Sequence, residues 1–464
     1  MRGDFAHNDR GQILVMFALA LPLLILFTAM AVDMGLIYVT KAKLSKAVDG
    51  ACLTGIKNFA QGQTTANALA TDIFDANYGA NPPTPVFTWT AGTATTPVSL
   101  QVKATATVNT YFMKYLPRFA TWYLSDTATA TRSNLVMSLI LDRSGSMGTG
   151  CSGCDGGGVA LQNAVPNFVS DFVNGTDHIA LISFGSNASV DVPLTASFLS
   201  PIDSAVQNLS FSGATFGTGA GTSSYSTTDG PPLSMADNQN NSISFVQETK
   251  VVVYFTDGLM NTIQDTFNCT NNPPGPTLYN YGGYDPASGT TFDFFNPAIA
   301  TYPAGDISYY YACGASPPNN PGHGLDCNGY PPNSASYSCR GVTTFISQKT
   351  GTATAFNRTN ITNEAQWRAI YTANAMRSET PVATYVFVIG LGSAVSGSVP
   401  TEAFLATLAN DPNGPSNYSG AVYNASLPAG LFLVVPDCPS SACTAELNTA
   451  FQTIAAKILL RLTQ

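Results

Sequence analysis

The sequence predicts an α/β fold, an open and mostly parallel sheet flanked by helices, preceded by an amino-terminal transmembrane helix and a small β-rich module. Three observations predict it. Apolar runs at residues 135–141 and 251–255 lead directly toward carboxylates, Asp142 and Asp257, and unbroken runs of this length suit strands covered on both faces. From residue 134 onward, strand-like and helical stretches alternate, the order that builds a parallel sheet. Residues 13–32 carry no charge and are long enough to cross a bilayer.

Taken in order, residues 1–12 read as a cytoplasmic tail and 13–39 as the transmembrane helix. Ala29-Met30-Ala31 has the small-x-small form of a signal-peptide cleavage site, so a protein secreted after cleavage is the competing reading; the apolar stretch exceeds the usual length of such peptides and favours a retained anchor. Leu44, Ala47, Val48 and Ala51 continue a helical stripe past the span, extending the helix over residues 40–62. Beyond Asn81-Pro-Pro-Thr-Pro85, period-two fragments in residues 84–133 predict the β-rich module.

Charge leaves the orientation open, since Arg2 and Arg10 precede the span and Lys41, Lys43 and Lys46 follow it. Cysteine usage decides it. Cys151, Cys154, Cys269, Cys313, Cys327, Cys339, Cys438 and Cys443 lie in Gly/Pro-rich, loop-like surroundings, the pattern of disulfides in an oxidising compartment. The pairs 151/154 and 438/443 lack a neighbouring His, and the first lacks the strand-then-helix setting of a redox motif, so zinc and redox roles are the weaker readings. The bulk of the chain is therefore expected outside the cytoplasm.

Residues 134–464 form the main domain. Asp142-Arg143-Ser144-Gly145-Ser146 follows the first buried strand without a break. One carboxylate and two hydroxyls at this spacing suit a hard divalent cation that keeps several waters; a bare D-x-S-x-S is otherwise a common turn cap. The second run ends in Phe255-Thr256-Asp257-Gly258, with Gly258 expected to permit a sharp exit turn. Helical spacing at Leu161, Val165, Phe168 and Phe172, a strand at residues 178–184, a helix at 361–378, a strand at 384–389 and a closing helix at 442–462 complete the alternation.

These motifs resemble the metal-ion-dependent adhesion site (MIDAS) of von Willebrand factor A (vWA) domains, a Rossmann-like fold. The resemblance implies that Asp142, Ser144, Ser146, a loop Thr and Asp257 hold Mg²⁺, or Mn²⁺ or Ca²⁺, and that an acidic side chain from a protein ligand completes the coordination. The family's T-x-x-G-x-x-L segment fits Thr227 through Leu233, with Thr215 in Gly213-Ala-Thr-Phe-Gly217 as the alternative. Residues 259–341, rich in Tyr, Gly, Pro and Asn, depart from the family as an irregular insertion that leaves the chain just after Asp257. Their composition resembles that of antibody contact loops.

The amino end carries a second resemblance. Arg10-Gly-Gln-Ile, Ala31-Val-Asp33-Met-Gly35 and Leu44-Ser-Lys-Ala47-Val-Asp49-Gly-Ala51 are similar to the start of TadE/TadG-type proteins of tight-adherence (Flp) pilus assembly. Met16 stands where some members have the glutamate of prepilin-peptidase substrates. The resemblance implies pilus or envelope assembly components as partners and a single pass through a bacterial inner membrane.

Composition excludes other classes. Charged residues are 10% of the chain and the net charge is -9, with no basic stripe to follow phosphates, so nucleic acid is excluded as a partner. With 3 His in all and no G-x-S-x-G elbow, a hydrolase using Ser146 or a metal-activated water is the weak alternative to a non-enzymatic adhesion or assembly protein. A minor pilin-like subunit is the other.

Overall fold

The computed structural model describes residues 9–93, 96–115, 117–143, 147, 157–185, 188–209, 211, 232–260, 262–268, 277–284, 291–295, 344–355, 358–392, 394–436 and 442–462. They divide into two compact units, one made of the chain up to Arg132 and the other of residues 133–462.

The first unit begins with α1 (Asp9–Lys57), a single helix that keeps its course through Pro22. Hardly any of its apolar stretch is buried, and large side chains from Met16 to Val32 stand exposed. A helix this long, apolar and bare fits a membrane anchor, since a lipid bilayer is the solvent that such a surface matches. Packing begins at Asp33, inside the stretch read as the span. Beyond it, Leu44, Ala47, Val48 and Ala51 are fully buried, as their spacing predicts.

α1 packs with α2 (Gln63–Tyr78), a helix not foreseen, and with an antiparallel sheet of β1 (Val86–Thr90), β2 (Val98–Asn109) and β3 (Thr121–Arg132) in the order β1-β2-β3. The alternation in β2 is strict: Leu100, Val102, Ala104 and Ala106 are buried against the helices, while Gln101, Lys103, Thr105 and Thr107 face outward. A Cβ at Gly55 would collide with Leu100, so a residue without one lets helix and strand close up. Cys52, a free buried thiol, donates to the Leu100 carbonyl at 3.2 Å. Lys41 donates to the Ser125 carbonyl at 2.8 Å and pairs with Asp126 at 2.9 Å, which ties one of the lysines just beyond the span into the fold.

The second unit is built on a six-stranded sheet. Its first strand, β4 (Asn134–Asp142), is buried at every residue. It is followed by α3 (Gly157–Val169), β5 (His178–Phe184), β6 (Ala188–Thr195), α4 (Leu199–Gln207), α5 (Pro232–Asn240) and β7 (Glu248–Thr256). A second sheet holds β8 (Thr262–Asn268), β9 (Thr277–Tyr284), β10 (Thr291–Phe295), β11 (Thr344–Ile346) and β12 (Ala353–Ala355). The chain then returns through α6 (Arg358–Arg377), β13 (Thr384–Leu391), α7 (Val399–Ala409), the one-turn α8 (Gly414–Asn417), β14 (Phe432–Val435) and α9 (Ala442–Leu462).

The main sheet has the order β14-β13-β7-β4-β5-β6, parallel except for β6, which pairs antiparallel to β5 at the edge. Pro193 suits that edge, where a missing N–H costs no ladder bond. Side chains alternate between two cores. Leu135, Met137, Leu139 and Leu141 of β4 pack with α3 and α9, whereas Ile140, with Val252 and Tyr254 of β7, packs with α5, α6 and α7. Each such buried side chain contributes roughly 1.5–3 kcal/mol, which is why an uncharged run can only be a central strand here.

The insertion departs from expectation. Residues 262–295 hold three strands instead of irregular chain, and β8 pairs with β11, so the sheet takes strands from both ends of the inserted stretch. Ile263 and Phe345 are buried in the same core as Tyr254. The segment is therefore anchored to the domain where it starts and just past its end. Cys443, buried at the start of α9, is disulfide-bonded; Cys151, Cys154, Cys269, Cys313, Cys327, Cys339 and Cys438 lie outside the described residues.

Candidate metal site at the carboxyl edge of the sheet

Chain order fixes where a ligand can sit. From β4 the chain steps to β5 and β6 on one side, then crosses back to β7 on the other. The reversal opens a crevice at the carboxyl ends of β4 and β7, where open α/β sheets bind ligands. Asp142 is the last residue of β4, and Asp257 is the first residue after β7. Leu141 pairs with Phe255, so Asp142 stands opposite Thr256 and Asp257 lies one step farther out.

Asp142 is 1% exposed, an unusual degree of burial for a carboxylate. Thr256 donates its hydroxyl to Asp142 Oδ2 at 2.8 Å. The same hydroxyl accepts the Gly258 N–H at 3.2 Å, so one side chain orients the acid and holds the start of the exit loop. Gly258 does not need its freedom for this: it is absent from the positive-φ glycines, and a Cβ there would meet nothing within 4 Å. The expectation of a glycine-dependent turn is therefore corrected.

Behind Asp142 on the same face lies Tyr254, fully buried, its ring 5.3 Å from that of Phe184. Burial first, and the charge of Asp142 second, push its phenol well above the ordinary range. Its hydroxyl has no hydrogen-bond partner among the described residues. Ser138, one turn of the pleat below, donates to Asn240 Oδ1 at 2.8 Å, and Asn240 donates to the Val251 carbonyl at 3.0 Å. Lys250, near the start of β7, donates to Asn241 Oδ1, and Leu194, near the end of the antiparallel β6, donates its N–H to Gln239 Oε1, so α5 ends toward the start of the parallel strands and runs antiparallel to β4. Its first turn, opened by Pro232 with Leu233 buried, consequently lies toward the carboxyl edge.

The structure thus brings Asp142 and Asp257 to one edge and directs the start of α5 toward it. Ser144, Ser146, Thr227 and Thr215 lie outside the described residues. Among the described residues there is no group of three or more His, Cys, Asp or Glu side chains that could hold a metal. A site here would rest on two carboxylates plus hydroxyls, and that all-oxygen set fits a hard divalent cation. Thr256 and Tyr254 were read from sequence as strand residues; the position of Thr256 directly before Asp257 is the signal that could have marked it. His178, at the start of β5, donates through Nδ1–H to the Thr176 carbonyl at 3.1 Å, and its ring centre lies 5.1 Å from that of Phe245. Burial lowers its pKa.

Residues 137–259 match the family model of the von Willebrand factor type A domain, and residues 11–67 match that of Flp pilus-assembly TadE/G-like proteins. The chain carries a vWA domain behind a TadE/G-like segment. No curated protein matches it. Among solved structures it is similar to the vWF domain of the type V pili tip protein Mfa5 from Porphyromonas gingivalis, at 15% identity and a TM-score of 0.36, over 72% of this chain and 98% of that one. It is also similar to the pilus adhesin SpaC from Lactobacillus rhamnosus GG in its open conformation, at 13% identity and a TM-score of 0.38, over 82% of this chain and 34% of SpaC. A third similar structure is proximal thread matrix protein 1 from the mussel byssus, solved with a zinc-occupied MIDAS motif, at 12% identity and a TM-score of 0.33, over 70% of this chain and 48% of that one. The chain therefore spans about a third of SpaC and about half of the mussel protein.

Proposed function

We propose that this chain is a membrane-anchored vWA protein of Tad/Flp-type pilus assembly or adhesion, which captures an acidic protein ligand through a divalent cation. The observation that supports this most is the arrival of Asp142 and Asp257 at the ends of neighbouring parallel strands, on the switch crevice of the sheet. Asp142 and Asp257 would supply the anionic oxygens, and Ser144, Ser146 and Thr227 the hydroxyls. A divalent cation such as Mg²⁺ held by these residues would supply a hard positive centre suited to a ligand carboxylate. Thr256 holds Asp142 in one orientation, so less order is lost when a cation is taken up. The function is binding and not catalysis. The bulk of the chain is read as extracytoplasmic, single-pass in an inner membrane, with the loop cysteines paired as disulfides.

The test is calorimetry on the full chain in detergent, titrated with Mg²⁺, Mn²⁺ or Ca²⁺. Binding is expected, with a stabilisation of about 2.7 kcal/mol at a cation concentration 100 times the dissociation constant. Asp142→Asn should abolish both the heat and the stabilisation. Absence of binding by all three cations in the native chain overturns the proposal.

A further inference from the structure

The hairpin that joins β2 and β3 reaches α1 where its bare apolar surface stops. Asp33 is fully buried, and its carboxylate accepts three backbone N–H bonds from the hairpin tip: from Tyr111 at 2.8 Å, Phe112 at 2.9 Å and Met113 at 2.6 Å. Successive backbone N–H groups converging on one anion make a strong, charge-assisted clamp. The tip is therefore pinned at one level of the helix. Residues 13–32 precede that level without a charge, and at 1.5 Å per residue they extend about 30 Å, the thickness of a bilayer's hydrocarbon core.

The tip does not bury what it carries. Tyr111 is 64% exposed, Phe112 50%, Tyr115 80% and Phe119 38%. Lys114 and Arg118 are exposed among them, with the Lys114 ammonium 5.6 Å from the centre of the Tyr115 ring. Tyr123, 75% exposed at the start of β3, stands next to the tip; farther up the same hairpin the outward residues are Gln101, Lys103 and Thr105 of β2 and Ser125, Thr127 and Thr129 of β3, which carry no aromatic ring. Large aromatic side chains interspersed with cations, confined to one end of a module, are the composition of a membrane–water interface.

We infer that the β2–β3 tip is a lipid-facing collar: Asp33 fastens it to α1 at the bilayer surface, where Tyr111, Phe112, Tyr115 and Phe119 enter the interfacial region and Lys114 and Arg118 meet anionic phospholipid headgroups. The partner is the membrane in which α1 stands, so the inference rests on α1 spanning it. It draws the outer boundary of the span at Asp33, short of Val39. It also gives the module a task, which is to fix the helix against tilting and sliding along its axis.

The experiment uses the full native chain in vesicles of phosphatidylethanolamine and phosphatidylglycerol that contain a phospholipid with a photoactivatable group near its headgroup. After illumination and digestion, peptides carrying lipid adducts are identified by mass spectrometry. Adducts are expected on α1 and on peptides from the tip, with none on the outward face of β2 around Thr105. Adducts on α1 alone overturn the collar and leave the span intact, the result expected if the aromatic tip faces a protein instead. Adducts nowhere on α1 overturn the span, and the collar with it. Uniform labelling along β2 also overturns the collar. Asp33→Asn should cut the tip adducts severalfold while those on α1 persist; undiminished tip labelling overturns the role given to Asp33.

Discussion

The two edges of the six-stranded sheet treat their acidic residues differently. At the amino edge they tie neighbouring segments of the chain together. Asp177 is fully buried and accepts the N–H groups of Val173 at 2.8 Å and Leu135 at 3.3 Å. Asp237 and Glu379 share the side-chain amide of Asn241, at 2.8 and 2.9 Å, and Lys250 lies 3.9 Å from Glu379. At the carboxyl edge, Asp142 meets a hydroxyl from the neighbouring strand and Asp257 stands where β7 has already ended. The contrast separates acids that hold strands in place from acids delivered to an edge where strands let go. Both are equally plain carboxylates in the sequence, and only position tells them apart.

The largest effect that tests this contrast is a crossed pair of substitutions. Asp177→Ala leaves two buried N–H groups without their acceptor and is expected to cost about 3 kcal/mol, measured by denaturant unfolding, with cation binding unchanged in the folded protein. Asp142→Asn should do the reverse, ending cation binding while costing far less stability in the absence of metal. If Asp177→Ala instead removed cation binding from folded protein, the two edges would not be separable.

A smaller effect concerns pH. Burial first, and the neighbouring Glu379 second, lift the Asp237 carboxyl from 3.8 to about 7. Between those values the folded state holds a proton that the unfolded chain has released, so stability falls as pH rises through the window and is lowest above it. Asp237→Asn keeps an acceptor for Asn241 and removes the titration. The variant should exceed the parent by about 1 kcal/mol at pH 8, allowing for solvent screening of a partly exposed pair. The advantage should vanish below pH 4, and an advantage independent of pH would place the origin elsewhere.

How much was legible in advance follows the same physics. β4 and β7 are readable because a strand buried on both faces leaves an apolar run that nothing else explains, and the carboxylate at its end marks the edge. The stripe at Leu44, Ala47, Val48 and Ala51 is readable because one helix face meets one sheet. β6 and β14 escaped notice, being short or edge strands with partly exposed, mixed side chains. So did β8 to β10, whose Thr, Asn, Gly and Tyr residues carry little apolar periodicity. The role of Asp33 was invisible for another reason. Its partners are backbone N–H groups some eighty positions away, and a main-chain donor leaves no mark in a sequence.

The smallest effect probes the floor of the carboxyl edge. Tyr254 sits beneath Asp142 with its hydroxyl buried and without a partner among the described residues. A buried hydroxyl that has given up water and gained nothing is a cost that the folded state carries. Tyr254→Phe retains the ring and its packing at 5.3 Å from Phe184, so the variant should gain stability, by about 1 kcal/mol or less. Because burial and the charge of Asp142 keep the phenol protonated at neutral pH, the substitution changes no charge, and cation affinity should stay within a few-fold of the parent. Thermal unfolding with and without Mg²⁺ measures both. A loss of stability, or of the Mg²⁺-dependent shift, would mean that the hydroxyl makes a bond in the folded protein. In that case Tyr254 would hold the carboxyl edge together as Asp177 holds the amino edge, and the distinction between the two would fail at its most buried point.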